Sequence, residues 1–91
     1  MIPKVWNKRD PDLPYWAIYV GRPSKWGNPF RMHKESDRLT VVKQFETWIL
    51  NLANVTLLEQ IKKELKGKDL VCWCAPKPCH ADILLKIAND S

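Results

Sequence analysis

The 91-residue chain carries a formal net charge of +5, with 45% hydrophobic and 27% charged residues, the proportions of one small globular domain over residues 1–91 rather than of a disordered or fibrous chain. No apolar run approaches the roughly 20 residues that span a bilayer, and Met1-Ile2-Pro3-Lys4 does not begin a signal peptide, so neither membrane insertion nor secretion is expected. The 3 cysteines are an odd number, which does not suit a fully paired secreted framework, and a reducing cytoplasm is the expected setting.

A domain this short buries only about 60–65% of its unfolded surface, so its core must be dense in large side chains, and 5 tryptophans, 2 tyrosines and 2 phenylalanines supply them. Charge is unevenly placed. Residues 1–43 hold 9 Lys/Arg against 4 Asp/Glu, and residues 44–91 hold 6 of each. Between Asp12 and Glu35 there is no acid, while Arg22, Lys25, Arg31 and Lys34 all occur. Such a basic surface attracts polyanions, nucleic acid or a nucleotide above all; an ordinary solvated basic face has the same composition.

In chain order, Lys4 to Arg9 alternates like a short edge strand, and Asp10-Pro11-Asp12-Leu13-Pro14 breaks it with a turn. Tyr15 to Val20 is the clearest strand in this half, rich in aromatic and branched residues, and Gly21 closes it. Two arrangements satisfy these strands: a hairpin, or a parallel pair with a third strand between them. The stretch from Gly21 to Phe30 has the glycines and prolines of a loop, yet carries two cations, a hydroxyl, an amide and two aromatics. Either Trp26 and Phe30 plug this loop into the core while Asn28 caps a turn, or the loop holds a ligand; the two roles are compatible.

Ser36 to Leu52 reads as a helix, capped by Ser36, with Leu39, Val42, Phe45, Ile49 and Leu52 on its apolar face and Val41 and Trp48 widening it. Its neighbour His33 has polar surroundings and reads as a surface residue. Thr56-Leu57-Leu58-Glu59 has the form of a capping box opening a second helix through Ile61 and Leu65, which Gly67 ends. Lys62, Lys63, Lys66 and Lys68 complement its dipole.

The most informative stretch is Leu70 to Ala88. All three cysteines, Cys72, Cys74 and Cys79, lie within it together with His80. Leu70-Val71-Cys72-Trp73-Cys74 suits a buried strand, and Ile83, Leu84, Ile87 and Ala88 recur at helical spacing. A strand, a proline-bearing loop and a helix place the sulfurs at the carboxyl end of a sheet, where open α/β folds hold ligands. Three chemistries compete. Three thiols and an imidazole are zinc-type ligands, although Cys-x-Cys is an unusual spacing and adjacent Cys79 and His80 diverge on a helix. A reactive thiol is the second, because Cys79 falls at the first turn of a helix, where unpaired amides favour a thiolate. Cys74 to His80 even has the spacing of the cysteine phosphatase loop, but with His for Arg and two prolines removing amide donors. The third is a set of small, inert, buried cysteines.

Trp26-Gly27-Asn28-Pro29-Phe30, taken with Cys72-Trp73-Cys74 and the following Pro-Cys-His, resembles a small domain-of-unknown-function family of bacteria and their phages. That family is marked by Asn-Pro-Phe and Cys-Trp-Cys motifs, and the similarity runs from Val5-Trp6-Asn7 to Ala88-Asn89. The Leu-x-Cys strand with Cys-His opening a helix is also similar to a second uncharacterised α/β family with a Cys-His-Arg ending, where Ala81 replaces the arginine. The resemblance implies the fold, a bacterial or phage setting (host cytoplasm for a phage protein) and the importance of the two loops. It implies no substrate.

The expected fold is therefore a small α/β domain, with a sheet of three or four strands from residues near 5–7, 16–20 and 70–74. Helices near 36–52, 56–66 and 80–88 cover it, with Leu39, Val42, Phe45, Trp48, Leu65, Val71, Ile83 and Ile87 buried. The expected site joins the two loops. Cys79 and His80 are the candidate catalytic pair, Cys79 being partly exposed and the most reactive thiol. Arg22, Ser24, Lys25, Trp26, Asn28 and Lys77 are the candidate ligand-binding residues. The expected ligand is a nucleotide or nucleic acid. No cofactor is expected; were zinc bound, Cys72, Cys74, Cys79 and His80 would hold it. The alternatives are a non-catalytic protein-interaction module and a zinc-stabilised nucleic-acid binder.

Overall fold

Three short strands, β1 (Val5–Asn7), β2 (Ile18–Tyr19) and β3 (Leu70–Cys72), form a wholly parallel sheet in the order β1-β3-β2. This computed structural model describes residues 3–90; Met1 and Ile2, and so the start of the N-terminal tetrapeptide, lie outside the described residues. The register sets Trp6 and Tyr19 on either side of Val71, and Val5 and Ile18 on either side of Leu70. Of the two arrangements the strand pattern allowed, the parallel one with a strand between is therefore adopted. All three residues of β3 are buried, as a strand paired on both edges requires. The strands are shorter than their apolar runs: Tyr15 and Trp16 stay outside β2, 95% and 51% exposed, and Trp73 leaves β3 at 53%.

Asp69 holds the amino edge of the sheet together. Its carboxylate accepts the Lys4 amide at 2.9 Å and the Trp16 indole N–H at 3.2 Å, while its backbone carbonyl accepts the Ile18 amide at 2.9 Å. A buried carboxylate persists only when its oxygens are hydrogen-bonded, and here both bonds come from segments adjoining the two outer strands.

Parallel strands need long crossovers, and helices supply them. A 3₁₀ turn at Glu35–Asp37 leads into α1 (Arg38–Ile49), a second at Leu52–Asn54 into α2 (Val55–Glu64), and α3 (His80–Asn89) follows β3. Phe45 and Ile49 of α1, Ile61 of α2 with Leu65 at its C-cap, and Ala81, Leu84 and Ala88 of α3 meet Leu70 and Cys72 in one core. Each large side chain buried there contributes about 1.5–3 kcal/mol. Side chains alternate across a strand, so the opposite face carries Val71 between Trp6 and Tyr19. Lys4 Nζ lies 3.9 Å over the Trp6 ring and Lys8 Nζ 5.7 Å from the Tyr19 ring, capping those aromatics with cations instead of helices.

Several local expectations are corrected. Leu39 is 68% exposed; at 100° per residue it lies about 120° around the helix from Phe45, outside the stripe of Val41, Val42, Phe45, Trp48 and Ile49. Val42, Trp48, Ile83 and Ile87 are half-buried, because α3 turns Ala81, Leu84 and Ala88 inward and the small alanines allow close approach. Phe45, Leu65 and Val71 are buried as expected. The first α-helix starts at Arg38, two residues after Ser36, with the preceding turn in 3₁₀ form. Thr56 does not cap α2: the helix already begins at Val55, and Asn51 instead caps the preceding 3₁₀ turn by accepting the Ala53 amide at 2.9 Å. Gly67 does end the second helix region, with φ +74°, a conformation that disfavours side-chained residues, and its amide donates to Asn89 Oδ1 at 2.9 Å.

Asp69→Ala is expected to destabilise the protein by about 2–3 kcal/mol, since it strands buried donors from both flanking segments. Leu84→Ala should cost about 2–5 kcal/mol and Leu39→Gln no more than about 0.5 kcal/mol. Urea unfolding measures all three; equal losses at Leu39 and Leu84 would contradict the packing described.

Candidate functional site

All three strands end at one edge, and the chain segments leaving β2 and β3 face each other there across the start of α1. Between them lies a cleft of about 360 Å³. Tyr19, Arg22, Phe30, Arg38 and Trp73 line it, together with Cys72, Cys74, Cys79 and His80. The two loops predicted from sequence to meet do meet.

Hydrogen bonds across the fold hold the loops in place. Gly21 leaves room for the Tyr19 ring to fold back, since a Cβ there would come within 2.6 Å of the ring's Cζ. Tyr19 Oη then donates to the Arg22 carbonyl at 2.8 Å and accepts from Trp73 Nε1 at 3.0 Å, tying the rim of one loop to the other. Asn28 Oδ1 accepts the Phe30 amide at 2.8 Å and its Nδ2 donates to the Val41 carbonyl at 3.1 Å, which docks the Asn-Pro-Phe segment on α1. On the far side, Asn7 Nδ2 donates to the carbonyls of Trp73 at 3.1 Å and Ala75 at 2.8 Å, pinning the cysteine loop to the end of β1. The Arg22-Pro23 and Ala75-Pro76 peptide bonds are both cis.

The sulfur and imidazole groups form a directed chain. Cys79 is the N-cap of α3, with extended backbone angles (φ −154°, ψ 157°), and its amide donates to Asp82 Oδ2 at 3.0 Å. Because Cys79 is not yet helical, its side chain does not diverge from the next one as two helical neighbours would: Cys79 Sγ lies 3.4 Å from His80 Nδ1. His80 Nε2 is 2.8 Å from the Val20 carbonyl. A carbonyl only accepts, so the neutral imidazole carries its proton on Nε2 and presents the Nδ1 lone pair to Cys79. Phe45 packs edge-on against the imidazole, with ring centroids 5.2 Å apart. Burial lowers the His80 pKa below its usual value, and the Arg22 cation acts in the same direction.

Cys79 also faces Cys72. The Cys79 thiol, helped by the Cys74 and Ala75 amides, holds the Cys72 pKa down at about 6 against the opposing effect of burial; the Cys74 amide is 3.4 Å from Cys72 Sγ. The Cys79 thiol is pushed the other way, first by the neighbouring Cys72 sulfur and then by burial. Cys79 is 3% exposed rather than partly open, and of the two thiols it is Cys72 that its surroundings shift toward ionisation and Cys79 that they shift against it. A helix start does favour an anion at Cys79, but an adjacent sulfur with two amide donors competes better for the charge.

Of the residues expected at the site, Arg22, Asn28, Cys79 and His80 line the cleft. Arg22 has no carboxylate partner among the described residues. Ser24, Lys25, Trp26 and Lys77 are placed elsewhere. Ser24 Oγ accepts the Trp26 amide at 3.3 Å within its own turn. Lys25 reaches away to both oxygens of Glu64 at 3.1 Å, and the Trp26 ring is buried in the core at 6% exposure. Lys77 pairs with Glu35 at 3.3 Å. No group of three or more His, Cys, Asp or Glu side chains able to hold a metal ion occurs among the described residues, and His80 commits Nε2 to a carbonyl.

Sequence reasoning missed Arg38, Tyr19 and Trp73. Arg38 grips Glu35 through Nε and Nη2, both at 2.9 Å, and its Nη1 donates to the Pro78 carbonyl at 3.2 Å, so α1 clamps the cysteine loop. Arg38, with Lys77 beside it, holds the Glu35 pKa down at about 2. The i, i+3 spacing of Glu35 and Arg38 was the available signal for this ion pair; the clamp on Pro78, 40 residues away, had none.

Ultraviolet thiolate absorbance should show one cysteine ionising near pH 6. That step should vanish in Cys72→Ser and move to higher pH in Cys79→Ala, which removes the donor. Loss of the step in Cys79→Ser with retention in Cys72→Ser would reverse the assignment.

Comparison with known proteins agrees with the resemblance noted above. An uncharacterised 12.4 kDa protein in the nrdA-td intergenic region of Enterobacteria phage T4 is 28% identical over 86 residues, covering 94% of this chain and 77% of the phage protein. No solved structure matches the chain. The family model described as "Domain of unknown function (DUF4326)" matches residues 5–90, and the chain belongs to that family.

Proposed function

We propose that the protein binds a nucleotide in the cleft at the carboxyl edge of its sheet, with the thiols at the floor close to the bound ligand. The observation that supports this most is the pairing of an uncommitted guanidinium with an exposed aromatic at one rim. Arg22 has no carboxylate partner among the described residues, and its backbone is fixed through Tyr19 to the indole of Trp73. A guanidinium suits a phosphate, and an indole face suits a base. The volume of about 360 Å³ falls at the small end of ordinary ligand pockets, which span roughly 300–1,000 Å³, and so favours a mononucleotide. In this reading Trp73 takes the stacking role that sequence assigned to Trp26, and Asn28 positions the loop. Cys79 and His80 border the ligand as the candidate catalytic pair.

A second reading, single-stranded nucleic acid, draws on the cations just outside the cleft. The Arg9 guanidinium lies 5.6 Å from the Trp73 ring and Lys8 Nζ 5.7 Å from the Tyr19 ring, suitable for further phosphates along a strand.

Thermal shift and calorimetric titration with mononucleotides, nucleosides, short single strands and duplexes, each at two salt concentrations, test both readings. A mononucleotide should raise the melting temperature and its nucleoside should do so far less. Trp73→Ala should weaken binding by about 1–3 kcal/mol, and Arg22→Ala should remove most of the preference for the phosphate. Steep salt dependence with strands but not mononucleotides would favour the second reading. No binding by any of these ligands, alongside a protein partner captured in a pull-down, would favour a protein-interaction module.

A further inference from the structure

We infer that Gly27 is a positioning residue for Arg22. The absence of a side chain at 27 lets the Arg22 stem pack on the loop backbone, which holds the guanidinium at the cleft as a preformed seat for a phosphate monoester group. The ligand class rests on the nucleotide reading above; the positioning of Arg22 does not. The contact is close. A Cβ at Gly27 would lie 2.7 Å from Arg22 Cγ and 3.2 Å from both the Arg22 Cα and its amide nitrogen, and these are the three atoms nearest to it. Carbon atoms in favourable contact sit about 3.5–4.0 Å apart, so a side chain at 27 would drive Arg22 aside. Cγ lies near the root of the stem and the other two atoms are backbone, so a swing of the guanidinium end alone does not clear the clash. Backbone conformation supplies no competing reason for the glycine, because Gly67 is the one described glycine with a positive φ.

The loop is folded so as to make this contact. The Gly21 carbonyl accepts the Ser24 amide at 2.9 Å and the Ser24 carbonyl accepts the Gly27 amide at 3.0 Å, two successive turns that bring residue 27 back beside residue 22. Tyr19 Oη holds the Arg22 carbonyl at 2.8 Å. The neighbours of Gly27 are anchored as well, Trp26 in the core and Asn28 on the Val41 carbonyl of α1. Of the loop's two cations, Lys25 is committed to Glu64 at 3.1 Å. Arg22 lines the cleft, is exposed, and has no carboxylate partner among the described residues.

An arginine loses much rotamer freedom when it grips a ligand. A stem already fixed by packing has lost part of that freedom beforehand, which strengthens binding without adding a contact. The planar fork then meets two phosphate oxygens in a set orientation. Gly27 does not touch the ligand in this arrangement; it acts through Arg22.

The test uses the isotope-labelled full-length chain, first without ligand. Nuclear Overhauser effects should join the Gly27 Hα protons to the Arg22 Hγ protons, and Nε relaxation should show Arg22 more ordered than exposed Arg31. Gly27→Ala should abolish that order while the core signals stay native. The common 5′-mononucleotides, their nucleosides and inorganic phosphate are then titrated separately. A mononucleotide should bind more tightly than its nucleoside by roughly ten- to a hundredfold, the weight of hydrogen bonds to a charged group. Gly27→Ala and Arg22→Gln should each remove most of that preference, and the double variant should lose no more than either one. A preference that Gly27→Ala leaves intact would overturn the inference. So would an Arg22 as mobile as Arg31 in the wild type, a measurement that decides even where the variant fails to fold. If neither nucleotides nor nucleosides bind, the nucleotide reading fails by itself. Inorganic phosphate then decides the positioning role: a shift of the Arg22 Nε–H signal in the wild type but not in Gly27→Ala supports it, and no shift overturns it.

Discussion

The structure depends on one strand of three residues being paired in parallel on both edges. Leu70, Val71 and Cys72 share their backbone groups with β1 on one side and β2 on the other, leaving no edge of β3 open to water. Parallel pairing excludes a tight turn between neighbours and requires crossovers. It therefore sends the chain through α1 and α2 before it returns as β3. It also delivers all three strand ends to the same side of the sheet. The cleft follows from that topology: the Gly21–Phe30 segment and the cysteine loop face each other because the strands preceding them run in the same direction.

A sheet this small has little backbone pairing, so side chains complete its connections. Asp69 joins the flanking segments at one edge, and Asn7 joins the end of β1 to the cysteine loop at the other. Tyr19 and Arg38 perform the same service for the rim and the lower wall of the cleft. A bond between a buried amide or carboxylate and an opposing backbone group costs little when made and much when lost. The few polar residues buried or half-buried here therefore hold the geometry of the site, while the apolar core beneath supplies the bulk of the stability.

The order of protonation in the site has the same origin. The Val20 carbonyl sets the tautomer of His80, which leaves a lone pair beside Cys79, whose thiol in turn faces Cys72. Two thiols at a helix start and a strand end cannot both be anionic in a buried site. The one with more donors is shifted toward the anion, and the other away from it. Arg22 and Arg38 add positive charge along the walls of the same cleft. Thiol, imidazole and guanidinium are thus brought together by contacts that cross the whole chain.

Much of this was legible in the residues. Branched and aromatic runs marked strands near residues 5–7, 16–20 and 70–74, of which the fold pairs 5–7, 18–19 and 70–72; helical spacing marked the three helices, and Gly67 marked the turn that follows α2. Strand-loop-helix logic put the cysteines and the Asn-Pro-Phe loop at the carboxyl edge, because strand direction and side-chain period are local properties of the backbone. Which face of α1 turns inward, whether Trp26 stacks on a ligand or fills the core, and which sulfur bears the charge were decided only by the tertiary structure. Leu39 is apolar and helical yet exposed, since nothing packs over that side of the first turn. Cys79 has the local position of a thiolate, yet burial and the neighbouring Cys72 sulfur push its pKa up. The Val20–His80 and Asn7–Ala75 contacts span 60 and 68 residues. Helix and strand periods are written in neighbouring residues, whereas the sharing of a proton or a carbonyl depends on groups that only the folded chain brings within 3–4 Å or so.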